Sequence, residues 1–253
     1  MVPTTSLPGP PPIGDDWALF LDVDGTLLGF ADRPGEVRVP DGLTRMLAAL
    51  SARLDGALAL VSGRPVEQLD ALFAPLRLPA AGLHGLELRS HGEVRHAPPA
   101  PDALAALLRH AAQVAAAHPG TVVEDKGATM ALHWRGNPGA EPVMRELAHD
   151  AVRRLPGYRV QPGDHVLELR PEGADKGAAI MALMAEAPFH GRRPVFAGDD
   201  HTDEHGFEQV IARGGLAILV GDRSPSVARH RLPGPGAVHR WLAAGALAAG
   251  AHA

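Results

Sequence analysis

"ALFLDVDGTLL", residues 18–28, is the stretch from which the fold is read. It opens as a near-continuous apolar run, the pattern of a parallel strand covered on both faces, and closes by placing Asp22 and Asp24 on a glycine-bounded turn. Residues two apart on an extended chain face the same way, so these carboxylates can enter one site. They repel unless a cation lies between them or one of them holds a proton.

Working outward, "GLTRMLAALSARL" (42–54) has helical spacing and "GALALVSGR" (56–64) is a second buried-strand pattern. "PVEQLDALFAPL" (65–76) opens a helix on Pro65, and "LPAAGLHGLELR" (78–89) reads as a further strand and turn. Residues 16–90 thus alternate βαβαβ, which predicts an α/β fold: a doubly wound, Rossmann-like parallel sheet. The pattern breaks at the Pro-rich "RHAPPAPD" (95–102). An αββαββ succession follows, predicting an inserted α+β cap domain over 97–170. Doubly wound alternation then resumes, so 15–96 and 171–253 form one core domain. Residues 1–14, with five prolines in the first twelve, are expected to be a disordered arm, and the Ala/Gly-rich tail is expected to fray.

Composition narrows the chemistry. The 253 residues contain no cysteine, which excludes disulfides, thiolate catalysis and cysteine-based metal sites and fits a cytoplasmic protein. A net charge of −5 gives no electrostatic reason to expect nucleic acid or membrane as partner. No apolar run approaches the ~20 residues of a membrane span, and the N-terminus lacks the pattern of a signal peptide. A small-molecule substrate and a monomer are the expectation.

In open α/β sheets, ligands bind beyond the carboxyl ends of the strands. Three strand patterns end there in reactive groups: Asp22, Asp24 and Thr26; Ser62; and Asp199, Asp200 and Asp203. An all-oxygen cluster of Asp22, Asp24 and Asp199 suits a hard cation such as Mg2+. Lys176 follows the N-cap candidate Asp175, so its ammonium lies where a helix dipole disfavours positive charge. An anionic partner accounts for it, and phosphate is the anion that the whole set suits.

"DVDGTLL", "SGR", the lysine of "GADKGAA" and "GDDHTDE" resemble, in order and spacing, the four motifs of the haloacid-dehalogenase superfamily of phosphohydrolases. "GLHGLE", "VEDKGATMALHWR", "LELRPEGADKG" and "EAPFHGRRPVFAGDDHTDEHGFEQV" resemble more narrowly the trehalose-6-phosphate phosphatases, over essentially all of residues 17–245. The resemblance implies that trehalose 6-phosphate is hydrolysed to trehalose and phosphate through an aspartyl-phosphate. Asp22 matches the nucleophile, and Asp24 the acid for the departing sugar oxygen and then the base for water. Asp22, the backbone carbonyl of Asp24 and Asp199 match the Mg2+ ligands. Thr26 matches a residue orienting Asp24, Ser62 a phosphate donor, and Lys176 a neutraliser shared by nucleophile and phosphate. Asp203 matches a support for Lys176 or for a metal-bound water, and Asp200 matches either that outer layer or the metal ligands themselves.

The resemblance also assigns sugar recognition to the insertion, as a cap that opens and closes. Glu124, Lys126, Arg135, Asn137 and Glu168 match its substrate-binding positions. Each of the first two pairs faces the sugar together if the strand carrying Arg135 extends as far as Asn137. Gly63 permits close backbone approach, while His84 either lines the mouth of the site or satisfies a backbone carbonyl.

Other readings compete. "DVD" alone fits the metal-binding pair of a glycosyltransferase, but that leaves "SGR", Lys176 and "GDD" unexplained. His201 and His205 are spaced i, i+4 without the His-Glu-x-x-His order of a zinc site. A capped phosphatase for another sugar phosphate, such as sucrose 6-phosphate, shares the core motifs, and so does a catalytically silent sugar-phosphate sensor.

Overall fold

The computed structural model describes residues 7–29, 37–97 and 101–247. The chain divides into two compact units, Met1–His96 with Asp175–Ala253, and Ala97–Ala174.

In the larger unit, β1 (Trp17–Leu21), α1 (Leu43–Arg53), β2 (Leu58–Val61), α2 (Val66–Phe73) and β3 (Ala80–Gly82) follow the βαβαβ reading, and two short strands, β4 (Glu87–Arg89) and β5 (Arg95–His96), come next. The insertion supplies α3 (Asp102–Ala116), β6 (Val122–Asp125), β7 (Met130–His133), α4 (Glu141–Arg154), β8 (Tyr158–Gly163) and β9 (Val166–Pro171). The core resumes with α5 (Lys176–Met184), β10 (Arg193–Gly198), α6 (Glu204–Ala212), β11 (Leu216–Val220), β12 (His230–Leu232) and α7 (Pro235–Leu247).

The large sheet has the order β12-β11-β10-β1-β2-β3-β4-β5. It is parallel from β12 to β3, and antiparallel where β4 and β5 extend the edge. β1 is central, and all five of its residues are buried. Each leucine so buried contributes on the order of 2 kcal/mol, so helices on both faces lock the position of the strand's end. Thus the fold class is as expected, with an antiparallel edge that periodicity did not reveal because its strands are two and three residues long.

The smaller unit is the αββαββ unit, with an antiparallel sheet ordered β6-β7-β9-β8. Alternation divides its faces. Met130, Leu132, Leu167 and Leu169 join Leu104 and Leu107 of α3 and Met144 and Ala148 of α4 in a second core. The intervening residues form a polar face.

One expectation is corrected. The arm was predicted to be disordered through residue 14, and residues 1–6 lie outside the described set, as do 98–100 of the Pro-rich junction and 248–253 of the tail. Residues 7–14 are seated on the core. The carbonyl of Pro8 accepts from Arg231 N (2.9 Å), that of Pro11 accepts from Trp241 Nε1 (2.9 Å), and Ile13 is buried. Proline lacks an N–H but keeps its carbonyl, so such a strand can be held entirely by donors from its neighbours. Residues 243–247 of the tail are helical, the last turns of α7.

Candidate active site

The ends of β1, β2 and β10 and the start of α5 build the site. Asp22 is the first residue beyond β1, and its N–H donates to Ala197 O at 2.9 Å, so its backbone is still registered on β10. The chain then turns, with Leu27 N and Leu28 N both donating to Val23 O (2.9 and 2.8 Å). Gly25 has φ +84°, and a Cβ there would collide with the Asp199 carboxylate. Glycine is thus what lets the turn close against β10.

Lys176 is 3% exposed and lies between two carboxylates, donating to Asp22 Oδ1 at 2.8 Å and Asp203 Oδ1 at 2.6 Å. Asp175 Oδ1 accepts from Ala178 N (2.8 Å), which caps α5 and fixes the residue before the lysine. Burial pulls the Lys176 ammonium down, but Asp203 and Asp22 outweigh it and hold its pKa above the ordinary lysine value. Burial dominates for the acids: Asp22 is raised to about 7 despite Lys176, Asp203 to about 7 and Asp199 to about 6.

Asp22, Asp199 and Asp203 each offer an oxygen within 4.8 Å of the others. Three carboxylates facing one ammonium form a site for a divalent cation, and the all-oxygen donor set fits a hard one. The side chain of Asp24 stands apart from this cluster. It accepts both arms of Arg64, Nε to Oδ2 and Nη2 to Oδ1, each at 2.7 Å.

Thr26 was expected to orient Asp24. It is fully buried and donates instead to Asp199 Oδ1 at 3.3 Å, while Arg64 orients Asp24. Ser62, 1% exposed, accepts from Arg64 N at 3.1 Å through Oγ, so its hydroxyl hydrogen is left to donate to a ligand. His84 sits against Gly63, where a Cβ would lie 2.7 Å from its Nε2. The backbone N–H of His84 donates to Ser62 O at 3.0 Å from a left-handed conformation (φ 55°), directly after Leu83 (φ 49°). Two adjacent non-glycine residues with positive φ cost on the order of 1–2 kcal/mol each, and such strain concentrates at functional sites. Asp200 is not one of that group: Oδ1 accepts from His201 N (2.7 Å), and its own N–H donates to Asp203 Oδ2 (2.9 Å). The Asp200 side chain also takes the backbone N–H of Asp203, and this with the Asp200 N–H on Asp203 Oδ2 makes a capping box at the short turn before α6.

On the smaller unit, sheet register puts Glu124, Ala131, Glu168 and Gln161 in one row across four strands. The two glutamates flank the short Ala131 on the polar face. Lys126 Nζ lies 3.8 Å from Glu124 and 3.9 Å from Glu168. Thr129 Oγ1 donates to Glu168 at 3.0 Å, and His133 Nε2 pairs with Glu124 at 3.0 Å. That hydrogen bond holds the Glu124 carboxyl below its ordinary range against the effect of burial. Arg135 and Asn137 do not join this group. β7 ends at His133, Arg135 pairs with Asp164 at 2.8 Å, and Asn137 Nδ2 donates to Pro119 O at 3.0 Å. Gly136 and Pro138 break the extended run on which their shared facing depended.

Sequence reasoning overlooked Arg64, although "SGR" contains it, and His133, which precedes Arg135 by two residues in "HWR". Both occupy positions adjoining residues already singled out, which was the available signal.

Comparison with known proteins agrees with this geometry. The family model described as trehalose-phosphatase matches residues 20–234. A protein named trehalose-6-phosphate phosphatase from Escherichia coli (strain K12) is 42% identical over 242 residues, covering 94% of this chain and 90% of that protein. A crystal structure of a trehalose-6-phosphate phosphatase related protein superposes with a TM-score of 0.77 at 26% identity, over 91% of this chain and 97% of that one. The C-terminal domain of Candida albicans trehalose-6-phosphate phosphatase shares the fold, with a TM-score of 0.74 at 22% identity over 90% and 91% of the two chains. Among the described residues no helix is long and apolar enough to cross a membrane. With its strand-end carboxylates, buried lysine and inserted α+β unit, the chain belongs to the trehalose-phosphatase family.

Proposed function

We propose that this protein hydrolyses trehalose 6-phosphate to trehalose and phosphate through a phosphoenzyme on Asp22, with Mg2+ as cofactor. The observation that carries the reading is Lys176, buried and bonded to Asp22 and Asp203 at the end of the central strand of a trehalose-phosphatase fold.

An Asp22 oxygen attacks phosphorus, and the bond from phosphorus to the sugar 6-oxygen breaks. Asp24, with one oxygen protonated and released from Arg64 while the other keeps its bond, gives the sugar oxygen that proton, and the Asp24 carboxylate then takes a proton from the water that cleaves the aspartyl-phosphate. Lys176 holds Asp22 in line and offers positive charge to the phosphate, while Asp203 holds Lys176. Ser62 donates its free hydroxyl hydrogen to a phosphate oxygen. Asp22, Asp199 and the Asp24 carbonyl are the proposed Mg2+ ligands, with Asp203 close enough to act on the ion directly or through water. Bound there, Mg2+ supplies the charge that keeps Asp22 anionic and screens its approach to phosphate. Glu124, Lys126 and Glu168 are the proposed sugar contacts, their acceptors and donors matching the hydroxyls of a disaccharide.

Phosphate release by malachite green across a panel of sugar phosphates tests this. Mg2+-dependent release from trehalose 6-phosphate well above the rest is expected. Comparable rates on sucrose 6-phosphate and others would overturn the narrow assignment, and binding without turnover would leave a sensor.

A further inference from the structure

The loop from Gly198 to Glu204 must keep Asp199 and Asp203 beside Asp22 although their charges drive them apart. Lys176 relieves part of that repulsion from inside. A second cation, Arg223, holds the same loop by its main chain. Its Nε donates to Asp199 O at 3.0 Å, Nη2 to Asp200 O at 3.2 Å, and Nη1 to Pro225 O at 2.7 Å. Nη2 also pairs with Glu204 Oε1, while Glu204 Oε2 accepts from Val227 N at 3.0 Å. Both side chains are mostly shielded, 15% and 20% exposed. A planar guanidinium is the side chain able to span successive carbonyls and a carboxylate at once.

We propose that Arg223, held by Glu204, is a positioning residue that sets the divalent-cation affinity of the Asp22–Asp199–Asp203 cluster by bracing the backbone of Asp199 and Asp200. This rests on the cation reading of the site given above. Arg223 is not catalytic, since every bond it makes here goes to main-chain carbonyls or to Glu204. Its charge makes the proposal easy to test by sign. A guanidinium near the cluster repels a cation, so if Arg223 acted only through its charge, removing it would tighten cation binding. If it acts by bracing, removing it loosens the loop and weakens binding, and partners that orient metal ligands are typically worth 10–100-fold in affinity.

The experiment is titration of substrate-free protein with Mn2+, followed by electron paramagnetic resonance of the free ion, and with Mg2+ by calorimetry. Arg223→Met is expected to raise both Kd values about tenfold or more, with near-native circular dichroism in the metal-free state. Glu204→Gln should do so to a smaller degree, and the double variant should fall well short of the two effects combined. Arg223→Lys keeps the charge without the fork and should weaken binding too; it decides the matter if the methionine variant does not fold. Unchanged or tighter binding in a folded variant overturns the brace. A wild-type protein that binds neither ion overturns the cation reading instead, and the brace with it.

Discussion

Arg64 grips Asp24 with both arms of its guanidinium, each contact 2.7 Å long. A bidentate pair fixes both the rotamer and the plane of the carboxylate, and a proton donor misplaced by about 1 Å can cost on the order of 100-fold in rate. Arg64→Ala is therefore expected to lower kcat on trehalose 6-phosphate by ~10–100-fold. An aryl phosphate, whose leaving group needs no proton, should lose much less. Equal losses on the two substrates would show that Arg64 does not act through Asp24.

Asp22 and Asp24 should fail differently. Asp22→Asn should abolish phosphate release and trap no phosphoenzyme. Asp24→Asn should still form one slowly from an aryl phosphate, seen as protein-bound label after an acid quench. Label on the Asp22→Asn protein would place the nucleophile elsewhere.

Removing Lys176 leaves Asp22 and Asp203 facing each other in the interior. Breaking a buried ion pair from one side costs about 3–5 kcal/mol, so Lys176→Met should lower Tm markedly at neutral pH. The deficit should shrink at pH 5, where both carboxyls, raised to about 7, hold their protons. A deficit independent of pH would assign the loss to packing.

The same values set how stability varies with pH. Without a cation, folded Asp22 and Asp203 titrate near 7 and Asp199 near 6, whereas their ordinary value is 3.8. Between these limits the folded state holds protons that the unfolded chain has released. That contribution is complete below 3.8 and is lost as pH rises through 6 and 7. A divalent cation must displace those protons, so the Tm increase from saturating Mg2+ should be small at pH 5 and full by pH 8. Equal increases at both pH values would show that the ion binds elsewhere.

Glu168 is 8% exposed and takes a hydrogen bond from Thr129. If its row on the polar face reads the sugar, Glu168→Gln should raise KM for trehalose 6-phosphate several-fold while leaving KM for a small aryl phosphate in place. Parallel changes in both would make Glu168 a structural residue.

How much of this was legible in the sequence depended on whether a signal was local. The buried strand before Asp22, the capped helix that begins at Lys176 and the alternation in "TMALHW" are local patterns, and each element formed close to where it was read. The grip of Arg64 on Asp24 spans forty positions, and Arg223 reaches Asp199 across twenty-four. No periodicity reports such pairs, and an arginine after a strand usually means solvent. Thr26 was given to Asp24 by the family resemblance, but the turn closed by Gly25 brings its hydroxyl to Asp199, a partner 173 positions away. The seat of residues 7–14 was hidden for the reverse reason. Proline-rich composition signals the want of apolar area, and here docking uses mainly carbonyls, which composition does not display.

Arg53 ties together two segments far apart in the sequence, one just ahead of β1 and one in α7. Nη2 donates to Ile13 O at 2.9 Å and Nη1 to Gly245 O at 2.5 Å. One side chain at the end of α1 thus holds the segment that leads into β1 to the last helix of the described core, at the end of the sheet opposite the reactive carboxylates. Arg53→Ala should therefore free both segments together, so that fraying ahead of β1 and at the end of α7 becomes one opening event rather than two.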